Sequence, residues 1–433
     1  MVAVSTGTIP DDDELLLETL ERAAVEYFLR WANPANGLVP DTSRVGSPCS
    51  IAVVGFALSI YPVAVERGWL SRDEAVARTV AALRFFRDCD QGGGSDATGY
   101  KGFYYHFLDM QSGTRVWQSE LSMIDTALLL AGMLAAGMYF DAETAAEHEL
   151  REIAGQLYRR VDWRWSQPEG GTIVLGWKPE CGFLRYGWEG YSESILLYVL
   201  GMGSPTHPVT DGAYAAWTST YQWENLYDID FLYAGPLFIH QFSHAWVDLR
   251  GIRDAFMRRV RSDYFENSRR AICVQREYAR HNPHGFAGYD EDCWGLTACD
   301  GPDGSTGVGS GDTPLSGYAA RGVPYGPDDG TLAGWAPLAS LPFAPETVMS
   351  TVRSMHRRYP AMQPDGRYAS SFNPGLEVAD GGYWVSSGHY GLDQGIVAMM
   401  IENHRSGLIW RLMRQCAWIT AGLRRAGFRG GWL

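Results

Sequence analysis

Helices that are apolar on every face alternate along this chain with helices that have one polar face. Apolar helices are predicted over about Cys49 to Glu66 and after Ser119, in ELSMIDTALLLAGMLAAGMYF. Polar-faced partners follow them, from Ser71 to about Asp88 and from Asp141 to about Arg160. An apolar helix must be covered on all sides, whereas an amphipathic helix can face solvent. The pattern predicts an all-α toroid of inner and outer helices around a pocket.

The remaining predicted elements complete about eleven helices, mostly in neighbouring pairs. The others begin at Asp11 and lie at about 192–203, 234–249, 253–280, 345–359, 391–404 and 406–426. An α-solenoid is the alternative, but it would show a repeat of fixed length, which is not found. Without a low-complexity linker, residues 1–433 are expected to form a single domain.

Two irregular regions are expected at the mouth of the pocket. An alternating aromatic stretch after Tyr100 predicts a short hairpin with its turn at Ser112–Gly113. Residues 281–344 are rich in Gly, Pro and Asp and show little periodicity. So long a loop in a compact protein usually carries function.

Composition narrows the possible partners. The net charge is -14, and no basic cluster is longer than a few residues, so nucleic acid and anionic membranes are not expected as partners. Aromatic residues make up 13% of the chain, with 16 Trp and 23 Tyr, which favours a ligand that stacks on rings. No apolar run predicts membrane insertion.

Cysteine spacing and the N-terminal residues bear on cofactors and compartment. Seven scattered cysteines form no CxxC or Cys/His zinc motif, so neither a metal nor a disulfide framework is expected. Dinucleotide and phosphate-loop fingerprints lack the required strand–helix context, and no cofactor is predicted. The N-terminal residues do not read as a signal peptide, which favours a cytoplasmic location.

The stretch 176–203 places aromatic rings next to carboxylates at the start of a helix. Trp188 and Tyr191 lie in its loop-like half, beside Glu189 and Glu193. Sugar faces stack on rings, and apolar surroundings raise the pKa of a carboxyl group, which suits a general acid. The alternative is an aromatic core with Glu189 as a charge favoured by the helix dipole.

Four other carboxylates are candidates for the second group that glycoside hydrolysis needs. With Ser119 as N-cap, Glu120 lies in the first turn of its helix, and Asp125 points about 140° away, which argues against a pair. Asp125 is either a site residue or a buried hydrogen-bonding group. Glu277 is a nucleophile candidate or a salt-bridge partner of Arg280, and Asp393 is a site residue or a helix cap.

The candidate binding residues are histidines, aromatic rings and an arginine. His240 and His244 share a helix face, but Gln241 stands where HExxH has Glu, so hydrogen bonds are favoured over zinc. For each ring, core packing is at least as well supported as stacking, and the arginine could instead pair with an acid. Glu193 is expected to support Glu189. The other candidates are Trp188, Trp117, Tyr104, Tyr105, Trp294 and Arg321.

From about residue 100 to its end, the chain resembles the glucoamylase-like proteins and, among them, glycoside hydrolase family 144. The resemblance rests on GFYYHFLDM, ELSMIDTALLLAG, GWKPECGF with GYSES, PLFIHQFSHAWVDLRGI, YGLDQG and IENHRSGLIWRLM. It implies an (α/α)6 barrel that hydrolyses β-1,2-glucan to short glucooligosaccharides such as sophorose. It also implies Glu189 as the acid and a functional role for Glu120, while the base stays open.

Three alternatives to that function stay open. Two are enzymes: an exo-acting sophorose-releasing hydrolase and a β-1,2-glucan transglycosylase. The third is a glucan-binding protein without activity. Oligomeric state is not predicted.

Overall fold

A computed structural model describes residues 12–303, 315–379 and 381–433. Fifteen α-helices lie in this part of the chain: α1 Asp13–Trp31, α2 Ile51–Glu66, α3 Arg72–Asp88, α4 Met123–Tyr139, α5 Ala145–Arg160, α6 Ile195–Gly203, α7 Ala213–Thr218, α8 Phe242–Trp246, α9 Ala255–Arg259, α10 Tyr264–His281, α11 Trp335–Ala339, α12 Pro345–Arg358, α13 Gly391–Arg405, α14 Leu408–Gln415 and α15 Ala417–Arg425.

Thirteen short strands accompany these helices in the described residues. They are β1 Cys49–Ser50, β2 Gly99–Tyr100, β3 Phe103–Tyr105, β4 Phe107–Leu108, β5 Leu121–Ser122, β6 Gly176–Lys178, β7 Gly182–Phe183, β8 Trp223–Leu226, β9 Ile229–Leu232, β10 Ala298–Cys299, β11 Ala319–Ala320, β12 Phe372–Glu377 and β13 Tyr383–Val385. The largest sheet is antiparallel, in the order β2-β3-β5-β6-β7, and the others are two-stranded.

The helices form an (α/α)6 barrel, which confirms the predicted fold class. Buried residues dominate the six inner helices, α2, α4, α6, α8, α11 and α13, while α1, α3, α5, α7, α10 and α12 lie outside them. In the inner layer α2 packs on α4, α4 on α6, α6 on α8 and α11 on α13, and α13 contacts both α8 and α2, which closes the ring. Where α2 crosses α4, a Cβ on Gly132 would lie 2.0 Å from the Gly55 carbonyl oxygen, so only glycine allows this approach.

Helix starts show which local predictions hold. Ser71 caps α3 by accepting from the Glu74 amide. The cap predicted at Ser119 is wrong, because α4 begins at Met123 with Ser122 as its cap. Residues 121–122 are instead extended, since β5 pairs with β3 on one side and β6 on the other. The partner helix α5 is capped by Thr144, not Asp141. Asp11 lies outside the described residues.

The two irregular regions contain more structure than expected. The predicted turn is present, and Leu108 bridges Arg115 across it. A second, tighter turn at Lys101–Gly102 joins β2 to β3. The described part of 281–344 includes the inner helix α11, which the prediction missed because five residues are too few to show periodicity. Among the described residues, no helix is long and apolar enough to cross a membrane.

Candidate active site

A cavity of about 680 Å³ opens where the inner helices begin. Asp125 and Asp393 enter it from the first turns of α4 and α13, and Glu193 lies just before α6. Trp335 at the start of α11 and Phe242 at the start of α8 complete this end of the barrel. Because the inner helices all start at the same end, residues far apart in sequence converge here.

Three large apolar side chains line the mouth of this cavity and are exposed to solvent. They are Val45, Trp117 and Tyr318, with 106%, 69% and 65% of their surface exposed. Trp117 and Gln118 both adopt left-handed backbone conformations, with φ of 57° and 48°. Such conformations cost about 1–3 kcal/mol each for residues other than glycine. The chain therefore bears strain where it presents the Trp117 ring.

His106, which the sequence analysis did not select, joins two of the predicted carboxylates. Its Nδ1 lies 2.9 Å from Glu120 Oε1, and its Nε2 lies 3.5 Å from Asp125 Oδ2. The imidazole stacks on Phe107, with ring centroids 3.9 Å apart. The prediction that Glu120 and Asp125 point apart is wrong, because Glu120 precedes β5 and is not on the helix.

The contacts among His106, Glu120 and Asp125 determine which of these side chains are charged. Burial alone would lower the pKa of His106, but Asp125, Glu120 and Asp41 raise it to about 9. Burial would raise the pKa of Glu120, yet the hydrogen bond from His106 lowers it. The three ligand atoms of His106, Glu120 and Asp125 lie within 4.8 Å of one another, a spacing that could also hold a metal ion. A protonated imidazole fits an ion-pair network, since a metal ligand must give up its proton.

Glu193 faces this network with a carboxyl group that tends to keep its proton. Burial and the charge of Asp125 raise its pKa to about 7. Its position is fixed from the backbone, since the Ser243 hydroxyl donates to the Glu193 carbonyl at 2.6 Å. Asp125 is held by its own cap, because Ser122 Oγ donates to Asp125 Oδ2 at 2.5 Å. Two carboxyl groups in different environments are therefore electrostatically coupled in one cavity.

Two further aspartates add to the acidic lining. Burial raises the pKa of Asp393 well above its ordinary value, and its Oδ2 has no hydrogen-bond partner among the residues that the structure describes. Burial also raises the pKa of Asp41 to about 6, although His106 opposes this rise. Asp41 was not selected from the sequence, because it lies in a loop of ordinary composition.

Arg44 ties the loop that carries Asp41 to the opposite side of the cavity. Its guanidinium donates to the Ser387 carbonyl at 2.8 Å and to the Tyr390 hydroxyl at 3.0 Å. It also pairs with Asp300, which accepts from Ser386 Oγ at 2.8 Å. This loop is therefore fixed by residues more than 250 positions away in sequence.

Three predicted catalytic residues do not line the cavity, and one of them, Glu120, is joined to it only through His106. Glu189 is exposed and lies outside the cavity lining. Glu193, four residues further along the chain, lines the cavity instead. Glu277 lies on the outer helix α10 and pairs with Arg280 at 2.6 Å, the alternative considered for it. The hydrogen bond from Arg280 lowers the pKa of Glu277.

The two histidines predicted as substrate-binding residues belong to the core. His240 Nε2 lies 3.1 Å from the Ala234 carbonyl, and His244 Nε2 lies 3.1 Å from Ser268 Oγ. Burial lowers the pKa of His240 to about 4 and that of His244 to about 3. Neither lines the cavity, so sharing a helix face did not place them at the site.

The other predicted binding residues, except Trp117 and Glu193, also lie away from the cavity. Tyr104 and Tyr105 are buried, and the Trp294 indole donates to Thr351 Oγ1 at 2.9 Å. Arg321 is fully buried and forms two 2.8 Å hydrogen bonds to Asp329. Trp188 is packed against the core. Residue type alone did not separate stacking rings from core rings.

The fold and the site together define an (α/α)6-barrel protein with an aromatic-rimmed cavity lined by carboxyl groups. The model of the Glycoamylase family, described as "Putative glucoamylase", matches residues 185–417. The chain belongs to this glucoamylase-like family.

Individual relatives are similar over nearly the whole chain. An exo β-1,2-glucooligosaccharide sophorohydrolase (non-reducing end) from Parabacteroides distasonis is 26% identical over 98% of this chain, which spans 59% of that relative. The crystal structure of a protein from Bacteroides uniformis, also described as a putative glucoamylase, is 27% identical and superposes with a TM-score of 0.85. The match covers 98% of this chain and 99% of that one.

An endo-β-1,2-glucanase from Chitinophaga pinensis, solved with sophorotriose and glucose, is similar in fold. It superposes with a TM-score of 0.82 at 23% identity, over the full length of both chains.

Proposed function

We propose that this protein is a glycoside hydrolase that cleaves β-1,2-glucan to short β-1,2-linked glucooligosaccharides. The observation that carries the proposal is the pair Glu193 and Asp125, one inclined to keep its proton and one held against a cationic imidazole. The named activity of the sophorohydrolase relative supports the substrate class. The sequence motifs support the finer assignment to glycoside hydrolase family 144.

Glu193 is the proposed general acid, in place of Glu189. A carboxyl group with a pKa of about 7 is protonated in half the molecules at neutral pH and can donate to the leaving glycosidic oxygen. The negative charge of Asp125 helps to keep that proton in place, as in other glycosidase carboxylate pairs.

Asp125 is the proposed second carboxylate, acting on water or on the sugar. Its Oδ2 is contacted by both Ser122 Oγ and His106 Nε2, and these two contacts fix the orientation of the carboxylate. Glu120 holds His106 from the other side and therefore supports Asp125. Asp393 retains its proton in this proposal and donates a hydrogen bond to a sugar oxygen.

The rim residues suit the proposed substrate. The exposed rings of Trp117 and Tyr318 offer apolar faces to pyranose rings, while the carboxyl groups below them meet hydroxyl groups. A cavity of this volume accommodates a few sugar units.

The test is incubation with linear β-1,2-glucan followed by proton NMR. We expect new reducing ends from the wild type, a loss of at least a hundredfold in Glu193→Gln and Asp125→Asn, and near-normal rates in the controls Glu189→Gln and Glu277→Gln. The anomer formed first reports inversion or retention. Binding without new reducing ends would favour the glucan-binding alternative instead.

Product sizes over time separate the enzymatic alternatives. Mixed oligomers at early times indicate endo action, and disaccharide alone indicates the exo mode named for the sophorohydrolase relative. Longer or cyclic products indicate transglycosylation.

A further inference from the structure

The end of the barrel opposite the cavity is basic, although the protein as a whole is acidic. Residues 248–270 and 411–433 hold twelve arginines and four acidic residues, against 36 basic and 50 acidic residues in the whole chain. The two segments meet where the inner helices end. Arg425 donates to the Met202 carbonyl near the end of α6, and the Trp432 indole donates to the Asp248 carbonyl just after α8.

Carboxylates neutralise only some of these arginines. Asp248 pairs with Arg250 and Arg414, and other acids pair with three more. Seven exposed arginines in these segments pair with no Asp or Glu among the described residues. This basic patch comprises Arg253, Arg258, Arg259, Arg261, Arg411, Arg424 and Arg429.

At its centre, two arginines are held directly opposite each other. The Arg253 amide donates to the Arg429 carbonyl at 2.9 Å, and the Arg429 amide donates to the Arg253 carbonyl at 3.0 Å. Residues that exchange both backbone bonds have Cα atoms about 5.5 Å apart and side chains on the same side. Like charges in this arrangement destabilise the pairing, and within the described ranges neither arginine pairs with an acid.

A third arginine is fixed beside this pair. The Arg258 guanidinium donates to the Arg253 carbonyl at 2.6 Å and to the Gly427 carbonyl at 2.8 Å, and so links the two segments. The backbones are close, since a Cβ on Gly431 would lie 3.0 Å from the Gly251 carbonyl carbon. Contacts to the backbone therefore bring Arg253, Arg258 and Arg429 together at one place on the surface.

A purely structural explanation covers only part of the patch. Arg258, Arg259 and Arg424 lie in the last turns of α9 and α15, where helix carbonyls favour cations. Arg253 and Arg429 lie in loops and gain nothing from a helix end. Arg253 and Arg429 carry like positive charges that are held directly opposite each other, and an anionic ligand would explain this arrangement.

We propose that Arg253, Arg258 and Arg429 form a binding site for a phosphate group. Guanidinium groups match phosphate oxygens with paired hydrogen bonds, and three of them offset the charge of one phosphate dianion. No such cluster is visible along the sequence, because the site combines segments about 170 residues apart. It is independent of the glucan-cleaving proposal, since its residues lie at the other end of the barrel.

The phosphate group could be free or could belong to a lipid headgroup, and two assays separate these sources. One titrates inorganic phosphate by calorimetry. The other sediments the protein with vesicles of phosphatidylcholine, with and without phosphatidylglycerol. Phosphate binding alone identifies a soluble ligand, whereas binding confined to the phosphatidylglycerol vesicles identifies a lipid headgroup.

The double variant Arg253→Gln/Arg429→Gln tests the site. We expect its binding to weaken at least tenfold in whichever assay is positive, because each lost charge-assisted contact is worth that much. The control Arg164→Gln removes an equally exposed charge elsewhere and should bind like the wild type. Unchanged helix content by circular dichroism verifies folding. Absence of binding in both assays, or equal binding by the double variant and the wild type, would overturn the proposal.

Discussion

Replacing His106 with Gln should destabilise the fold by an amount that shrinks as the pH rises. The pKa of His106 goes from its ordinary 6.5 to about 9 in the folded protein. A group whose pKa rises on folding stabilises fully below its unfolded value, and this contribution is lost as pH passes its folded value. At about 1.4 kcal/mol per tenfold change in proton affinity, the charge contributes about 3.4 kcal/mol at pH 5.

The same relation gives the contribution of the His106 charge to stability at higher pH. The contribution falls to about 2 kcal/mol at pH 7.5 and to almost nothing above pH 10. Glu120 does not obscure this window, because its lowered pKa affects stability only at acidic pH. Glu193 is present in both proteins, so its direct contribution largely cancels in the difference, whereas the pKa of Asp41 depends on His106 and affects the difference around pH 6.

Urea unfolding followed by tryptophan fluorescence, at several pH values from 5 to 10, measures this difference. His148→Gln is the matched control, since His148 is exposed beside Glu143 and should show a small, nearly constant effect. If the difference in unfolding free energy between the wild type and His106→Gln is constant or grows with pH, the ion-pair network is refuted.

Three further predictions concern the proposed general acid, the rim of the cavity and a buried carboxyl group on the outer helix α1. Wild-type glucan cleavage should decline as pH rises past about 7, because Glu193 loses its proton there; a rate that keeps increasing to pH 9 would contradict its role as acid. Trp117→Ala should raise KM about tenfold with little change in kcat, as steady-state kinetics would show, and an unchanged KM would remove Trp117 from the binding site. Burial and Glu402 raise the pKa of Glu21 to about 8, so this carboxyl group destabilises the fold as pH rises from about 4.5 through 8. Glu21→Gln should therefore lose less stability than the wild type between pH 5 and 9 in thermal unfolding, and equal losses would exclude this origin.

The helical architecture could be predicted from the sequence because it depends on spacing along the chain. The all-apolar α2 and the Ser71 cap of α3 are local features, readable from neighbouring residues. The alternation of buried and amphipathic helices then limits the fold to inner and outer layers. The start of α4 was misplaced because β5 pairs with strands from elsewhere, which no local pattern reveals.

The site was only half predictable, and the reason is geometric. Glu189 and Glu193 are both acidic and lie beside aromatic rings, yet only the tertiary structure shows that Glu193 lines the cavity. The partnership of His106 with Glu120 and Asp125 depends on a hairpin that folds back against the start of α4. Sequence determined which side chains could do acid–base chemistry, whereas ring closure decided which of them meet, because that requires contacts between helices hundreds of residues apart.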